Sequence, residues 1–211
     1  MITLHSCYVR DFDKTWTIEP SVSQYNVLIL ATLGSLVYWV NGETYSIHKG
    51  DVLFIPAGSM RGGRTDEFHQ RYATHFSMQD NTASLPILNN KQPCQITLES
   101  FDYFKHRFSM LNHHWLMKGP YLATTCYAVL LEMFSILNYD MDHWKMSLKK
   151  RKLVDDLKRY ILDHYKEPIT LKDLAEYADR TPNHISYTFK AVTGFSPIEY
   201  VHYVKISKAK D

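Results

Sequence analysis

The chain has 211 residues, 45% of them hydrophobic, and a formal net charge of +2. That length suffices for one large domain or two small ones with a sizeable core, and no internal repeat or low-complexity tract interrupts it. Cys7, Cys94 and Cys126 show no paired spacing, and their odd number argues against a disulfide framework and for a reducing, cytoplasmic setting. No basic region followed by an apolar run opens the chain, so no secretory signal is legible. Leu4-His5-Ser6-Cys7 looks like a lipoprotein box only until one notes that no apolar segment precedes it. The charge divides unevenly. Residues 1–146 hold 11 Lys+Arg against 13 Asp+Glu, net −2, whereas residues 147–211 hold 13 against 9, net +4. A basic C-terminal piece fits a nucleic-acid partner, although a solvated lysine-rich face has the same composition.

Residues 1–95 read as β-structure. Apolar or alternating runs stand at Tyr25 to Ala31, Leu36 to Val40, Glu43 to Ile47, Val52 to Ile55 and Tyr72 to Phe76. Turn signals separate them at Asn41-Gly42, Lys49-Gly50-Asp51, Pro56-Ala57-Gly58 and Gly62-Gly63. Short strands at this spacing predict a sandwich or jelly roll. The run from Asn41 to Gly58, above all G-D-V-L-F-I-P-A-G, and the His75-Phe76 pair resemble a cupin-like sensor barrel. The resemblance implies a barrel that holds a small effector, often a sugar.

A cupin enzyme needs a metal held by imidazoles and a carboxylate, usually with an H-x-H pair. The eleven histidines include no such pair. After Gly50, Pro56 and Gly58, the position where the family pattern puts a histidine is Arg61, and a guanidinium has no lone pair to offer a metal. The sequence therefore assigns no metal and no other cofactor, and His48, His69 and His75 read as hydrogen-bonded structural or pocket residues. Arg61, Arg64 and Arg71 either face solvent from loops and strand edges or line the barrel mouth and grip a carboxylate or phosphate. Tyr8, Trp16, Tyr25, Tyr38, Trp39, Tyr45 and Tyr72 supply aromatic surface for a core or for stacking. Tyr8, Trp16, Thr32, Tyr38, Arg61, Arg64, Arg71 and His75 are the candidate effector contacts. Alternation alone does not say which of them face inward.

Residues 78–95, polar with two prolines, read as a linker leaving the barrel. Two helical segments follow, and residues 96–146 are expected to form a helical linker and dimerisation segment. From Leu98 to Leu111 the first places Phe101, Phe104, Phe108 and Leu111 on one face. The second, Tyr121 to about Tyr139, has about the 20 residues a membrane span requires. Glu132 near its middle would cost about 2.5–3.5 kcal/mol in a bilayer, so a buried helix is the better reading. Its stripe of Cys126, Val129, Leu130, Met133 and Leu137 suits either a homodimer contact or an intramolecular core.

Asp140 to Ser147 is a polar junction, and residues 147–211 read as a separate all-α domain. Its first helix starts at Lys149 and carries Leu153, Leu157, Ile161 and Tyr165 on one face. Thr170 caps a second helix, with Asp173 as the capping-box partner and Leu171, Leu174, Ala175 and Ala178 on its apolar side. Thr181 and Pro182 start a third, with Ile185, Phe189 and Val192 as its stripe and Gly194 as its stop. Ser196-Pro197-Ile198-Glu199 starts a fourth. Two short helices joined by a tight turn are the helix-turn-helix arrangement, whose second helix enters the DNA major groove.

L-K-D-L-A (171–175), the T-P-x-x-I-x-x-x-F-K run (181–190), T-G-F-S (193–196) and E-Y-V (199–201) resemble the first helix-turn-helix of AraC/XylS transcription regulators. Tyr160-Ile161 and Pro168-Ile169-Thr170 also sit at that family's positions. The resemblance implies an α+β multidomain protein: a cupin-like effector barrel (1–95), a dimerising helical segment and a truncated DNA-binding domain. Family members continue into a second helix-turn-helix, so a chain of this span is expected to be a fragment that binds DNA poorly by itself. The implied function is ligand-responsive transcription regulation, of carbohydrate uptake or metabolism, in the cytoplasm and without enzymatic activity. The competing class, a cupin-fold small-molecule enzyme with an appended helical domain, lacks its metal ligands. Pro182 to Val192 is the expected recognition helix. Thr181, Asn183, His184, Ser186, Tyr187 and Lys190 are its candidate DNA contacts. With Ile185 and Phe189 buried, Asn183, Ser186 and Tyr187 face the bases, while Lys190 and Thr181 serve phosphates.

Overall fold

Two antiparallel sheets face each other, and their strands alternate along the chain. The structure is a computed structural model and describes residues 2–78, 85–89, 91–145 and 148–208. The five-stranded sheet has the order β1 (Ile2–Phe12), β8 (His69–Met78), β3 (Asn26–Leu33), β6 (Asp51–Ile55), β9 (Cys94–Thr97). The four-stranded sheet runs β2 (Thr17–Val22), β7 (Met60–Arg64), β4 (Ser35–Val40), β5 (Glu43–His48). The chain divides into two compact units, Met1–Asp142 and His143–Asp211.

The continuous apolar runs of β3 and β6 are buried on both faces. Val27, Ile29 and Ala31 point with Leu53 and Ile55 at Leu36, Tyr38, Val40 and Ile47 of the second sheet, forming the sandwich interior. The alternate residues Leu28, Leu30, Val52 and Phe54 point the other way, onto helices α2 (Phe101–Met117) and α3 (Leu122–Lys145). Asn41 and Gly42 both have positive φ (51° and 88°), as a tight primed turn between β4 and β5 requires.

Several expectations shift here. β1, β2, β7 and β9 are not among the expected runs, and the Gly62-Gly63 turn signal lies inside β7. Those glycines are side-chain-free for a reason: a Cβ on Gly63 would stand 3.1 Å from the Trp16 ring. The segment 78–95 is only partly within the described residues. Its described part is no linker, since Leu85, Ile87 and Leu88 are buried and β9 pairs with β6. The short helix α1 (Pro86–Asn89) is tied to α3 by Asn138, whose side chain accepts from the Ile87 amide at 2.9 Å and donates to the Phe134 carbonyl at 2.7 Å.

Of the two roles open to the α3 stripe, most of its residues fill the intramolecular one. Cys126, Leu130, Met133 and Leu137 are buried within this one chain and Val129 is half-buried, joined by Phe134, which meets Phe76 of β8 with ring centroids 5.3 Å apart. The helical segment up to Asp142 thus belongs to the first unit, because a sheet with two apolar faces needs both covered. By length and composition Leu122–Asp142 would also suit a membrane span, and one face of it is buried in this core.

In the second unit α4 (Leu148–His164), α5 (Leu171–Tyr177), α6 (Pro182–Thr193) and α7 (Pro197–Lys208) close around Leu157, Ile161, Leu174, Ala175, Ile185, Phe189, Val201 and Val204. Val154 is buried as well, while Leu153 and Tyr165 are only partly covered. The junction expected at Asp140 to Ser147 lies partly outside the described residues.

Candidate functional site

The helix-turn-helix pair is held by local hydrogen bonds. Thr170 Oγ1 accepts from the Asp173 amide at 3.3 Å, and the Asp173 carboxylate accepts from the Thr170 amide at 2.8 Å, closing a capping box on α5. These bonds hold the Asp173 carboxyl below its ordinary pKa. Thr181 Oγ1 accepts from the His184 amide at 3.3 Å, Pro182 occupies the first turn, and Gly194 ends α6 at φ 78°. Ser196 and Glu199 build the same reciprocal cap on α7.

Ile185, Thr188 and Phe189 fasten α6 to its unit. The opposite face presents Asn183, Tyr187 and Lys190, all exposed, with Ser186 half-buried between them. With Ala191 they line one shallow, open depression. Tyr187 is 73% exposed, unusual for a large aromatic ring. Among the described residues none of Asn183, Ser186, Tyr187 and Lys190 has a side-chain hydrogen bond or an ion pair. Polar groups on successive turns of one exposed helix face are free to meet base edges and phosphates. His184 is exposed beside the first turn, and the Thr181 hydroxyl is engaged as a cap.

The second candidate site is the sandwich interior, where the strand register places each predicted contact. On β8, Ala73 belongs to the interior cluster, so Arg71 and His75, two residues either side, face the same way. Tyr8 of β1 pairs with Ala73 and also faces in. Tyr38 of β4 is fully buried there, its neighbour Val40 pairs with Arg61 of β7, and Trp16 packs against the same cluster. Arg64, by contrast, pairs with Val37 on the outer face and stacks on Trp39, 5.7 Å from the ring centroid. Thr32 lies where the β3–β8 register shifts, and its hydroxyl donates to the Gln70 side chain at 2.8 Å. Neither belongs to the lumen: a one-residue step along a strand reverses the face.

Arg71 is 3% exposed. Its guanidinium carbon lies 4.3 Å from the Trp16 ring centroid, 4.7 Å from Phe12 and 5.6 Å from Tyr38, and Nη1 donates to the Tyr38 hydroxyl. Burial pushes the Tyr38 phenol up from its ordinary pKa, opposed by the charges of Arg71 and Arg61. Burial, then Arg61 and Arg71, push His75 down to about 4. His69, fully buried and stacked on Phe12 at 5.0 Å, falls to about 4 through burial and Arg71. Both imidazoles are neutral near pH 7. Phe12 and Arg10 were not singled out from sequence, yet the β1–β8 register sets them opposite His69 and Arg71. Among the described residues no cluster of His, Cys, Asp and Glu could hold a metal ion.

No family model matches the chain. In sequence it is 22% identical over 202 residues to an uncharacterized HTH-type transcriptional regulator, YisR, of Bacillus subtilis, covering 87% of this chain and 70% of that protein. It is 35% identical over 57 residues, 27% of either chain, to the bifunctional transcriptional activator/DNA repair enzyme AdaA of the same organism. Solved structures similar to part of the chain include the Schizosaccharomyces pombe Cnp3 cupin domain, with TM-score 0.33, 19% identity and coverage of 36% of this chain and 57% of that one. The KdgF structure from Halomonas sp. is another, at TM-score 0.32, 16% identity and coverage of 38% and 79%. Across most of its length the chain is therefore similar in sequence to a helix-turn-helix transcription regulator, and it joins an antiparallel β-sandwich to a helical C-terminal part.

Proposed function

We propose that the protein is a ligand-responsive, DNA-binding transcription regulator of the AraC/XylS type, working in the cytoplasm and without catalytic activity of its own. α6 is its recognition helix and the sandwich interior its effector site. The observation that carries the reading is the exposed face of α6. Asn183, Ser186, Tyr187 and Lys190 stand unpartnered on the second helix of a fully capped helix-turn-helix. Asn183 and Ser186 read base edges, Tyr187 supplies a ring for base or sugar contact, and Lys190 neutralises a phosphate. A homodimer, if the protein acts as one, uses a surface other than the buried stripe of α3.

The test is selection of bound sequences from a random duplex pool at low salt, followed by fluorescence anisotropy on the enriched site. Enrichment of a short motif supports the reading, and so does its loss at one base pair in Asn183→Ala. Equal affinity of the chain for every duplex, unchanged in Asn183→Ala and Lys190→Ala, would reject α6 as the reading element.

A further inference from the structure

We infer that the sandwich interior is an anion site, and that the effector carries a carboxylate or phosphate held by Arg71 and Arg61, with Arg10 at its edge. This rests on the effector-sensing role proposed above and narrows it to a chemical class.

Charge bookkeeping in the lumen is the basis. Arg71 is all but fully buried, and its Nε and the Nε of Arg61 are buried without a hydrogen-bond partner. Directly across the β1–β8 ladder from Arg71 stands Arg10, on the same face, with its guanidinium 5.3 Å from the Tyr8 ring centroid. Like charges placed opposite each other on a sheet repel. Among the described residues no carboxylate pairs with any of the three. Glu43, whose partner Val40 also pairs with Arg61, accepts a hydrogen bond from the Tyr45 hydroxyl instead. The nearby imidazoles, His69 and His75, supply no negative charge.

A buried cation without an anion is costly, and a guanidinium does not escape by losing its proton. The aromatic rings around Arg71 offset part of that cost through their negative faces. They leave the Nε donor unused, and a bidentate oxyanion is what a guanidinium fork fits. Tyr8, Trp16, Arg61 and His75 face inward yet are only half-buried, so this face is partly open to solvent.

The experiment uses the whole chain and matched pairs of anion and neutral analogue, glucuronate against methyl glucoside and benzoate against benzamide, with inorganic phosphate tested against chloride at equal ionic strength. Thermal unfolding and calorimetry report binding. The charged member of at least one pair, or phosphate at tens of millimolar, raises the melting temperature while its neutral partner does not. Arg71→Gln weakens that binding roughly tenfold or more. Arg61→Gln, at a half-buried position, does the same if Arg71→Gln fails to fold, while Arg64→Gln on the outer face leaves it intact. Stabilisation by neutral members equal to their anions, binding unchanged in both Arg61→Gln and Arg71→Gln, or no response to any probe overturns the inference. Anisotropy on DNA with the same preparation separates the two readings. DNA binding without anion binding sinks only the anion site, and anion binding with equal affinity for every duplex, unchanged in Asn183→Ala, sinks only the recognition role of α6, since one helix-turn-helix neutralises few phosphates and binds weakly.

Discussion

Replacing Gly34 by alanine probes the geometry that aims the lumenal residues. Gly34 joins β3 to β4 with φ +68°, and a Cβ there would stand 2.2 Å from the Phe68 carbonyl oxygen and 3.1 Å from the His69 Cα. Two comparison sites separate the causes. Gly42 and Gly58 have similar positive φ, +88° and +85°, but open space where the methyl would go. The left-handed backbone costs an L-residue about 1–2 kcal/mol. Reduced freedom of the unfolded chain returns about 0.4–1 kcal/mol. Gly58→Ala should therefore lose about 1 kcal/mol. Gly34→Ala adds the displacement of a backbone carbonyl at the entry to β8, comparable to overpacking at about 1–3 kcal/mol, for a total of about 2–4 kcal/mol. With a urea slope of about 2 kcal/mol/M, the midpoints should fall by roughly 0.5 M for Gly58→Ala and 1–2 M for Gly34→Ala. Trp16 and Trp39, both in the first unit, report the transition by fluorescence. Equal midpoint losses at Gly34 and Gly58 would refute the close approach, and with it the strand register that sets Arg71 inward.

Lys190→Ala should weaken all duplex sequences alike and reduce the salt slope by about 1, read from anisotropy titrations at several ionic strengths; a change confined to one base pair would contradict its phosphate role. Met133→Glu should unfold the first unit, seen as lost near-ultraviolet circular dichroism, because Met133 is fully buried within one chain; a folded monomer would show the stripe to be an intersubunit face instead. Thr170→Ala should cost about 1 kcal/mol in the second unit by removing one arm of the α5 capping box, measurable by chemical denaturation, and an unchanged midpoint would deny that cap its role. His69 and His75 have folded pKa values lowered to about 4, below an ordinary histidine near 6.5. The unfolded chain therefore takes up protons first, and stability falls as pH drops from about 6.5 towards 4. His69→Phe, which keeps a ring beside Phe12, should flatten that decline in pH-dependent urea midpoints; an identical slope would mean the imidazole is not held neutral.

What the sequence determined by itself is local. Thr170 with Asp173, Thr181 with Pro182, Gly194, and Ser196 with Glu199 act within a few residues of chain, so the helix boundaries of the second unit were readable without knowing what they pack against. The outward face of α6 followed, because the period of 3.6 that buries Ile185 and Phe189 also turns Asn183 and Tyr187 to solvent. Only the tertiary structure decided the rest. A strand's period of two leaves its faces undetermined until the partner's register is known, so Arg71 and Arg64 are distinguished only once Ala73 marks the interior and Val37 the outer face. β7, Met60–Arg64, has a single apolar residue, and in β1 a register shift between Leu4 and Ser6 breaks the alternation; both form because neighbouring strands supply the hydrogen bonds. The stripe on α3 demanded a partner without naming one. That partner is the outer face of the five-stranded sheet, which α3 covers together with α2.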